Sequence, residues 1–352
     1  MDTKLPDIFN RFHVDGTAMD IKPFGNGHIN RTFLVKTDVK DYMLQTVNDY
    51  VFRNVDSLMR NIYIVTNHLR EKGRTTLHVR KTNDNRIYVN DNGTYYRLYT
   101  YIGDSVCYEK IDSLELVEKT AVAFGRFHAD LSDLDPILIA ETIPDFHNTP
   151  KRYNDFMEAV KQDEAGRLAD CLPEMGFIVK NKKRFSAIMD ALNAGRIPYR
   201  IVHNDPKINN VLFTGDGEEV KCVIDLDTVM PGSCLFDFGD AVRSLFTGDN
   251  ESALEPDALV YDEEIFRAYT RGYISATRDS LLPDELRLLP DAVFTLAVEL
   301  GMRFLEDHLN GDKYFGINFE NENYYRARNQ LHLAEDILSH MDGMRAIVAE
   351  YM

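Results

Sequence analysis

The chain has 352 residues, which suits two domains or one large two-lobed unit, and its 44% apolar content excludes a disordered polypeptide. Lys and Arg number 40 against 57 Asp and Glu, and the resulting net charge of −17 argues against nucleic acid or an anionic membrane as a partner. No run approaches the ~18 apolar residues of a membrane span, and Met1–Pro6 lacks the basic and apolar regions of a signal peptide, so a soluble cytoplasmic protein is expected. The four cysteines (Cys107, Cys171, Cys222 and Cys234) form no C-x-x-C pair, so each reads as a small buried hydrophobe and not as a zinc ligand.

The first hundred residues read as strands around one helix. Phe24 to Asn30, with Gly25 and Gly27, is a glycine turn ahead of a strand at Thr32–Val35. Asp41–Val47 is a second strand. Leu58, Ile62, Val65 and Leu69 recur three and four apart, which predicts an amphipathic helix over Val55–Arg70. Leu77–Val79, Ile87–Val89 and Tyr95–Tyr101 are further strands divided by Asn-Asp-Asn turns. A short connection near residues 100–104, with Thr100 and Ile102 as its nucleotide-facing candidates, ends this part. Helical periodicity then dominates. Val117, Ala121, Phe124, His128 and Leu131 share one face, and helices are expected near 151–166, 180–194, 262–279, 289–309 and 323–349.

One stretch interrupts the helices. His203-Asn-Asp205-Pro-Lys207-Ile-Asn-Asn210 puts an Asn five residues after an Asp, the spacing of a kinase catalytic loop. Val211–Phe213 and Val220–Ile224 then form an apolar hairpin around Asp216-Gly217. Antiparallel pairing carries Asn210 and Asp225 to the same end, on strands ~5 Å apart. Phosphoryl transfer needs a carboxylate for the acceptor hydroxyl and hard oxygen ligands for magnesium. Asp205 is the candidate base, and Asn210 and Asp225 are the candidate magnesium ligands beside ATP. Asp237-Phe-Gly239 spells the protein-kinase metal motif but lies beyond the hairpin, so Asp237 is read as a cap or brace of the catalytic region. Asp227 stays open between a second metal ligand and a brace, and Lys207 between a phosphate contact and an ion pair with an acid. His128 and His203 are read as groups that orient the catalytic loop.

Taken together the pattern implies an α+β, two-lobed, protein-kinase-like fold. A small β-rich N-lobe (1–103) covers the nucleotide through Gly25 and Gly27, and a larger, mainly helical C-lobe (104–352) carries the catalytic loop. The expected lysine of the third strand is absent: Leu44-Gln45-Thr46 stands there, and the helix Val55–Arg70 holds no glutamate to pair with it. No Ala-Pro-Glu closure follows Asp225, which weighs against a protein kinase.

These landmarks resemble the aminoglycoside-phosphotransferase and choline-kinase superfamily, and within it the N-acetylhexosamine 1-kinases. The resemblance rests on Gly25-x-Gly-His-Ile-Asn30, Leu44-Gln45, the catalytic loop, Ile224-Asp-Leu-Asp-Thr-Val-Met-Pro-Gly232, Asp237–Ala241, Glu299-Leu-Gly-x-Arg303-Phe-Leu and Gly311-Asp-Lys-Tyr-Phe315, across nearly the whole chain. It implies ATP-dependent phosphorylation of the anomeric hydroxyl of GlcNAc or GalNAc, with Arg303, Tyr314 and His28 as substrate-binding residues beside Asp205. Arg303 wants an oxygen partner, from a sugar or from a neighbouring carboxylate. The competing readings are a kinase of another small acceptor (choline-like, aminoglycoside or methylthioribose), which suits the acidic balance, and a nucleotide-binding pseudokinase module. Oligomeric state is not written in the sequence.

Overall fold

The computed structural model describes residues 4–25, 30–255 and 258–352. In chain order its elements are α1 (Leu5–Phe9), β1 (Ala18–Pro23), β2 (Thr32–Thr37), β3 (Tyr42–Val47), α2 (Val55–Glu71), β4 (Val89–Asp91), β5 (Thr94–Thr100) and β6 (Ser105–Val106). They continue as α3 (Leu114–Asp130), α4 (Thr149–Gln162), α5 (Leu172–Phe185), α6 (Ala187–Asn193), β7 (Arg200–Val202), β8 (Val211–Thr214), β9 (Val220–Val223) and β10 (Met230–Gly232). The last are α7 (Cys234–Thr247), α8 (Glu263–Thr277), α9 (Pro283–Arg287), α10 (Leu289–Leu309) and α11 (Glu322–Tyr351). The chain divides into two compact units, the first Met1–Tyr108, Asp130–Pro144 and Asn209–Pro231, the second Glu109–Ala129, Asp145–Ile208 and Gly232–Met352.

The first unit is built on an antiparallel sheet of order β1-β2-β3-β5-β4. Side chains alternate across a strand, so one face of β3 and β5 offers Tyr42, Leu44, Tyr96 and Leu98 to Phe9 and Phe12, all buried. Each such residue contributes roughly 1.5–3 kcal/mol by leaving water. The register sets Leu44 opposite Leu98 and therefore Gln45 opposite Arg97, on the other face. Helix α2 starts at Asn54, whose side chain accepts from the Ser57 N–H at 3.0 Å, and buries the expected Leu58, Ile62, Val65 and Leu69. It runs one residue further than the periodicity predicts, to Glu71, which is exposed at its end. Buried Asn61 on the same helix donates to the Ala140 and Val229 carbonyls at 2.7 and 3.1 Å. Leu77–Val79 is not a regular strand: it runs beside β5 with the single bridge Val79 to Tyr99.

The second unit is helical around α10. Every residue of α10 except Leu300, Arg303 and Glu306 is buried, so the helix is enclosed all round where periodicity suggests one apolar face. The predicted helix at 180–194 begins earlier and divides at Ser186, whose hydroxyl donates back to the Lys182 carbonyl at 2.8 Å. Helix α7 begins at Cys234, so Asp237-Phe-Gly239 lies inside its first turns and does not precede it. Phe238 is fully buried against Phe266, Tyr269 and Tyr273. A Cβ on Gly239 would lie 2.5 Å from the Ala292 carbonyl oxygen, so this glycine exists for close packing against α10. The β-rich and helical parts are those the sequence predicts. None of the four cysteines forms a disulfide; Cys107 is exposed where a buried position was expected. Among the described residues no helix is long and apolar enough to cross a membrane.

Candidate active site

In the second unit the approach to Asp205 is held by a buried carboxylate. Asp237 Oδ2 accepts from the His203 backbone N–H and Oδ1 from the Asn204 N–H, both at 2.7 Å. Asn204 takes a left-handed conformation (φ 65°), a turn that brings two successive N–H groups to one carboxylate. His128 Nε2 lies 2.8 Å from the same carboxylate and its Nδ1 lies 2.8 Å from the Tyr273 hydroxyl. Burial alone would lower the His128 pKa, but the Cys234 sulfur and the Asp237 carboxylate outweigh it and raise it to about 10. For Asp237 burial acts upward, and His128 with the surrounding donors brings it below the ordinary carboxylate value. His203, fully buried edge-on between Phe124 and Phe127, accepts at Nδ1 from the Asp205 N–H at 3.2 Å, so its ring proton sits on Nε2. Asp237, His128 and His203 are therefore braces, and the tempting motif at Asp237 serves the backbone before Asp205. Lys207 Nζ lies 2.7 Å from Asp205 Oδ1, the ion-pair alternative for that lysine.

Further along the same unit, Arg152, Arg303, Glu306, Asp307, Asn310, Tyr314 and Phe315 line a pocket of about 170 Å³. Asp307 builds it: its carboxylate accepts from the N–H groups of Lys313, Tyr314 and Phe315 at 2.8–2.9 Å and from Asn323 Nδ2 at 3.0 Å. That clamp leaves the Tyr314 side chain 75% exposed. The Arg303 guanidinium lies 5.4 Å from the Phe315 ring centre, and among the described residues it makes no ion pair and no hydrogen bond. Arg152 Nε is buried with no hydrogen-bond partner among the described residues. The expected Arg303 and Tyr314 thus share one pocket. Sequence reasoning missed Arg152 and Asp307; the three N–H groups Asp307 holds come from a loop whose course the sequence does not disclose.

In the first unit the hairpin pairs Val211 with Val223 and Leu212 with Cys222, then shifts register before Phe213 meets Val220. The Ile224 N–H donates to the Asn210 carbonyl at 2.8 Å, one step beyond the strands. Asn210 and Asp225 therefore stand at the same end of the hairpin, as expected. Gly217 (φ +78°) lies in a loop between Thr214 and Val220, longer than a two-residue turn. Asn210 is buried and Asp225 exposed, with Asp225 in the left-handed region (φ 58°, ψ 62°). A carboxamide and a carboxylate are the hard oxygen donors magnesium takes when phosphates complete its shell, so these residues fit that ion. Among the described residues no cluster of three or more His, Cys, Asp or Glu offers a different metal cage.

Asp227, two residues on, is committed elsewhere. Arg97 donates from Nη1 to Asp227 Oδ1 and from Nη2 to Oδ2 at 3.0 Å, and Asn30 Nδ2 donates to Oδ2 at 2.7 Å. Arg97 Nε donates to Gln45 Oε1 at 3.0 Å, and Gln45 Nε2 to Thr32 Oγ1 at 2.8 Å. No sequence signal announced Arg97. Gly25 (φ +74°) is exposed in the turn after β1, while Gly27 and His28 lie outside the described residues. Thr100 ends β5 with its hydroxyl unpartnered among the described residues, and the Ile102 carbonyl accepts from Ser105 Oγ at 2.7 Å.

Comparison with known proteins agrees with this geometry. Residues 20–281 match the phosphotransferase enzyme family. The fold is similar to an aminoglycoside phosphotransferase from Alicyclobacillus acidocaldarius (TM-score 0.67, 14% identity, 98% of this chain and 96% of that one). It is similar to a microcompartment-associated aminopropanol kinase (0.64, 16%, 97% and 98%) and to a spectinomycin phosphotransferase in complex with ADP and spectinomycin (0.56, 12%, 95% and 98%). The two-unit architecture, the kinase-spaced catalytic loop and a match over most of its length together place this chain in the phosphotransferase enzyme family.

Proposed function

We propose that this chain is an ATP- and magnesium-dependent kinase that phosphorylates the anomeric hydroxyl of N-acetylhexosamines, GlcNAc or GalNAc, to the sugar 1-phosphate. Asp205 accepts the proton as the C1 oxygen forms its bond to the γ-phosphorus and the bond to the bridging oxygen of ADP breaks. An anomeric hydroxyl is more acidic than other sugar hydroxyls, so an ordinary carboxylate suffices as base. Magnesium, held by Asn210 and Asp225, would neutralise charge on the phosphates. The region 1–103 serves as the nucleotide-covering lobe, with Gly25 and Gly27 over the phosphates and Thr100 and Ile102 at the base, and 104–352 as the acceptor lobe. Arg303 and Tyr314 bind the sugar.

The observation that carries this reading is the pair of guanidiniums with unmatched donors in the pocket, Arg303 and the Nε of Arg152. The N–H groups of Arg303 call for acceptor oxygens, such as sugar hydroxyls or an acetamido carbonyl. Exposed Tyr314 beside them offers a ring and a hydroxyl to a sugar. The net charge of −17 and the aminopropanol kinase among the similar structures support the second reading, a cationic amino-alcohol or aminoglycoside acceptor. An ADP-release assay with MgATP across GlcNAc, GalNAc, choline, aminopropanol and an aminoglycoside separates the two. Turnover confined to the acetamido sugars, with a raised KM for the sugar in Arg303→Met, is expected. Turnover of a cationic acceptor alone overturns the sugar assignment.

A further inference from the structure

The strand that carries a lysine in protein kinases carries Gln45 here, yet the cation is present one strand away. Gln45 and Arg97 face each other across the β3–β5 pair, on the face of the sheet turned from the α1 core. Arg97 is 2% exposed and Asp227 4% exposed. The guanidinium spans both oxygens of that carboxylate, and Asn30 and Gln45 complete the set. Breaking such a buried pair strands a charge, whereas the intact pair adds little net stability, so its value lies in position.

What it positions is two residues away. Asp227 sits in the short turn Leu226–Thr228, and Asp225 precedes that turn in a left-handed conformation that a non-glycine residue adopts at a cost. Such a conformation, rare for a non-glycine residue, persists where the chain is held on both sides. On one side the Ile224 N–H is fixed to the Asn210 carbonyl; on the other Asp227 is fixed by Arg97 and Asn30.

We infer that Arg97 is a positioning residue which, through Asp227, holds the Asp225 carboxylate for the magnesium-bound nucleotide, and that this pair stands in for the missing strand lysine and helix glutamate. The inference rests on the reading of Asn210 and Asp225 as the magnesium-bearing pair. It assigns Asp227 as a brace and not as a second metal ligand.

Calorimetric titration with ADP, with and without magnesium, tests it on the wild type, on the double variant Arg97→Met/Asp227→Asn, which strands no charge, and on Arg97→Lys. In the wild type magnesium is expected to tighten ADP binding. The double variant should keep its magnesium-free affinity within about twofold yet lose tenfold or more of the magnesium-dependent gain, the usual effect of removing a group behind a metal ligand. Arg97→Lys keeps the charge without the two-oxygen fork and should fall between them. Circular dichroism and melting establish folding, and if the double variant fails to fold the Arg97→Lys comparison decides. A folded variant with the full magnesium-dependent gain, or one that loses affinity equally with and without magnesium, overturns the inference. A wild type whose ADP affinity ignores magnesium overturns the reading of Asn210 and Asp225, and the inference with it.

Discussion

Replacement of Asp237 by Asn keeps the shape of the side chain and removes its charge. The carboxylate accepts two backbone N–H groups at 2.7 Å and faces His128 at 2.8 Å in a site 1% exposed. An asparagine amide turns a donor toward one of those three groups, so at least one buried donor loses its acceptor. A hydrogen bond to a charged group contributes ~1.5–3 kcal/mol, and a stranded buried donor costs ~1–3 kcal/mol. A stability loss of about 2–4 kcal/mol follows for Asp237→Asn, measured by urea unfolding. The two N–H groups belong to His203 and Asn204, the residues directly before Asp205. With Asp205 as the proposed base, its displacement by ~1 Å costs on the order of 10²-fold in kcat, measurable as ADP release. Amide hydrogen exchange supplies a readout independent of the acceptor: protection at His203 and Asn204 should fall with little change in α11. Wild-type exchange at those two amides together with unchanged kcat would refute the brace.

Asp205→Asn should lower kcat by ~10²–10⁴-fold while leaving magnesium-ADP binding intact, and unchanged turnover would remove Asp205 from the role of base. The His128–Asp237 pair predicts a pH dependence of stability. His128 is raised from 6.5 to about 10, so its contribution is complete below about 6.5 and is lost as pH rises toward 10. Asp237 is lowered, so its contribution is present above 3.8 and is lost as the solution is acidified below that value. Wild-type unfolding free energy should therefore fall more steeply than that of His128→Asn between pH 6.5 and 10, and parallel curves would contradict the assignment. Gly239→Ala would press a methyl against the Ala292 carbonyl. Overpacking of ~1–3 kcal/mol should exceed the helix-propensity gain of at most ~1 kcal/mol, and a more stable variant in urea unfolding would show that α7 and α10 separate freely.

The parts of the site that are close in sequence were legible in it. Asp205, Asn210 and Asp225 lie on one loop and hairpin, and pairing of apolar strands through Asp216-Gly217 leaves little choice of register. The periodicity of α2, α8 and α11 was legible because burial of one face repeats along the chain, whereas α10 is buried nearly all round. The start of α7 was not, since Asp237-Phe-Gly239 reads as a loop motif until Phe238 is seen buried and Gly239 is seen against α10. The partners of charged groups were not legible either. Arg97 meets Asp227 across 130 residues, and Asp307 gathers the N–H groups of a loop that only folding brings back over its own helix. The sequence by itself determined the candidates for the chemistry: a carboxylate, two residues with hard oxygen donors and a hairpin that brings those two to the same end. Only the tertiary structure decided which charges are spent on holding that chemistry in place. Local spacing fixes what a side chain is able to do, whereas long-range packing fixes whether its polar atoms are already occupied.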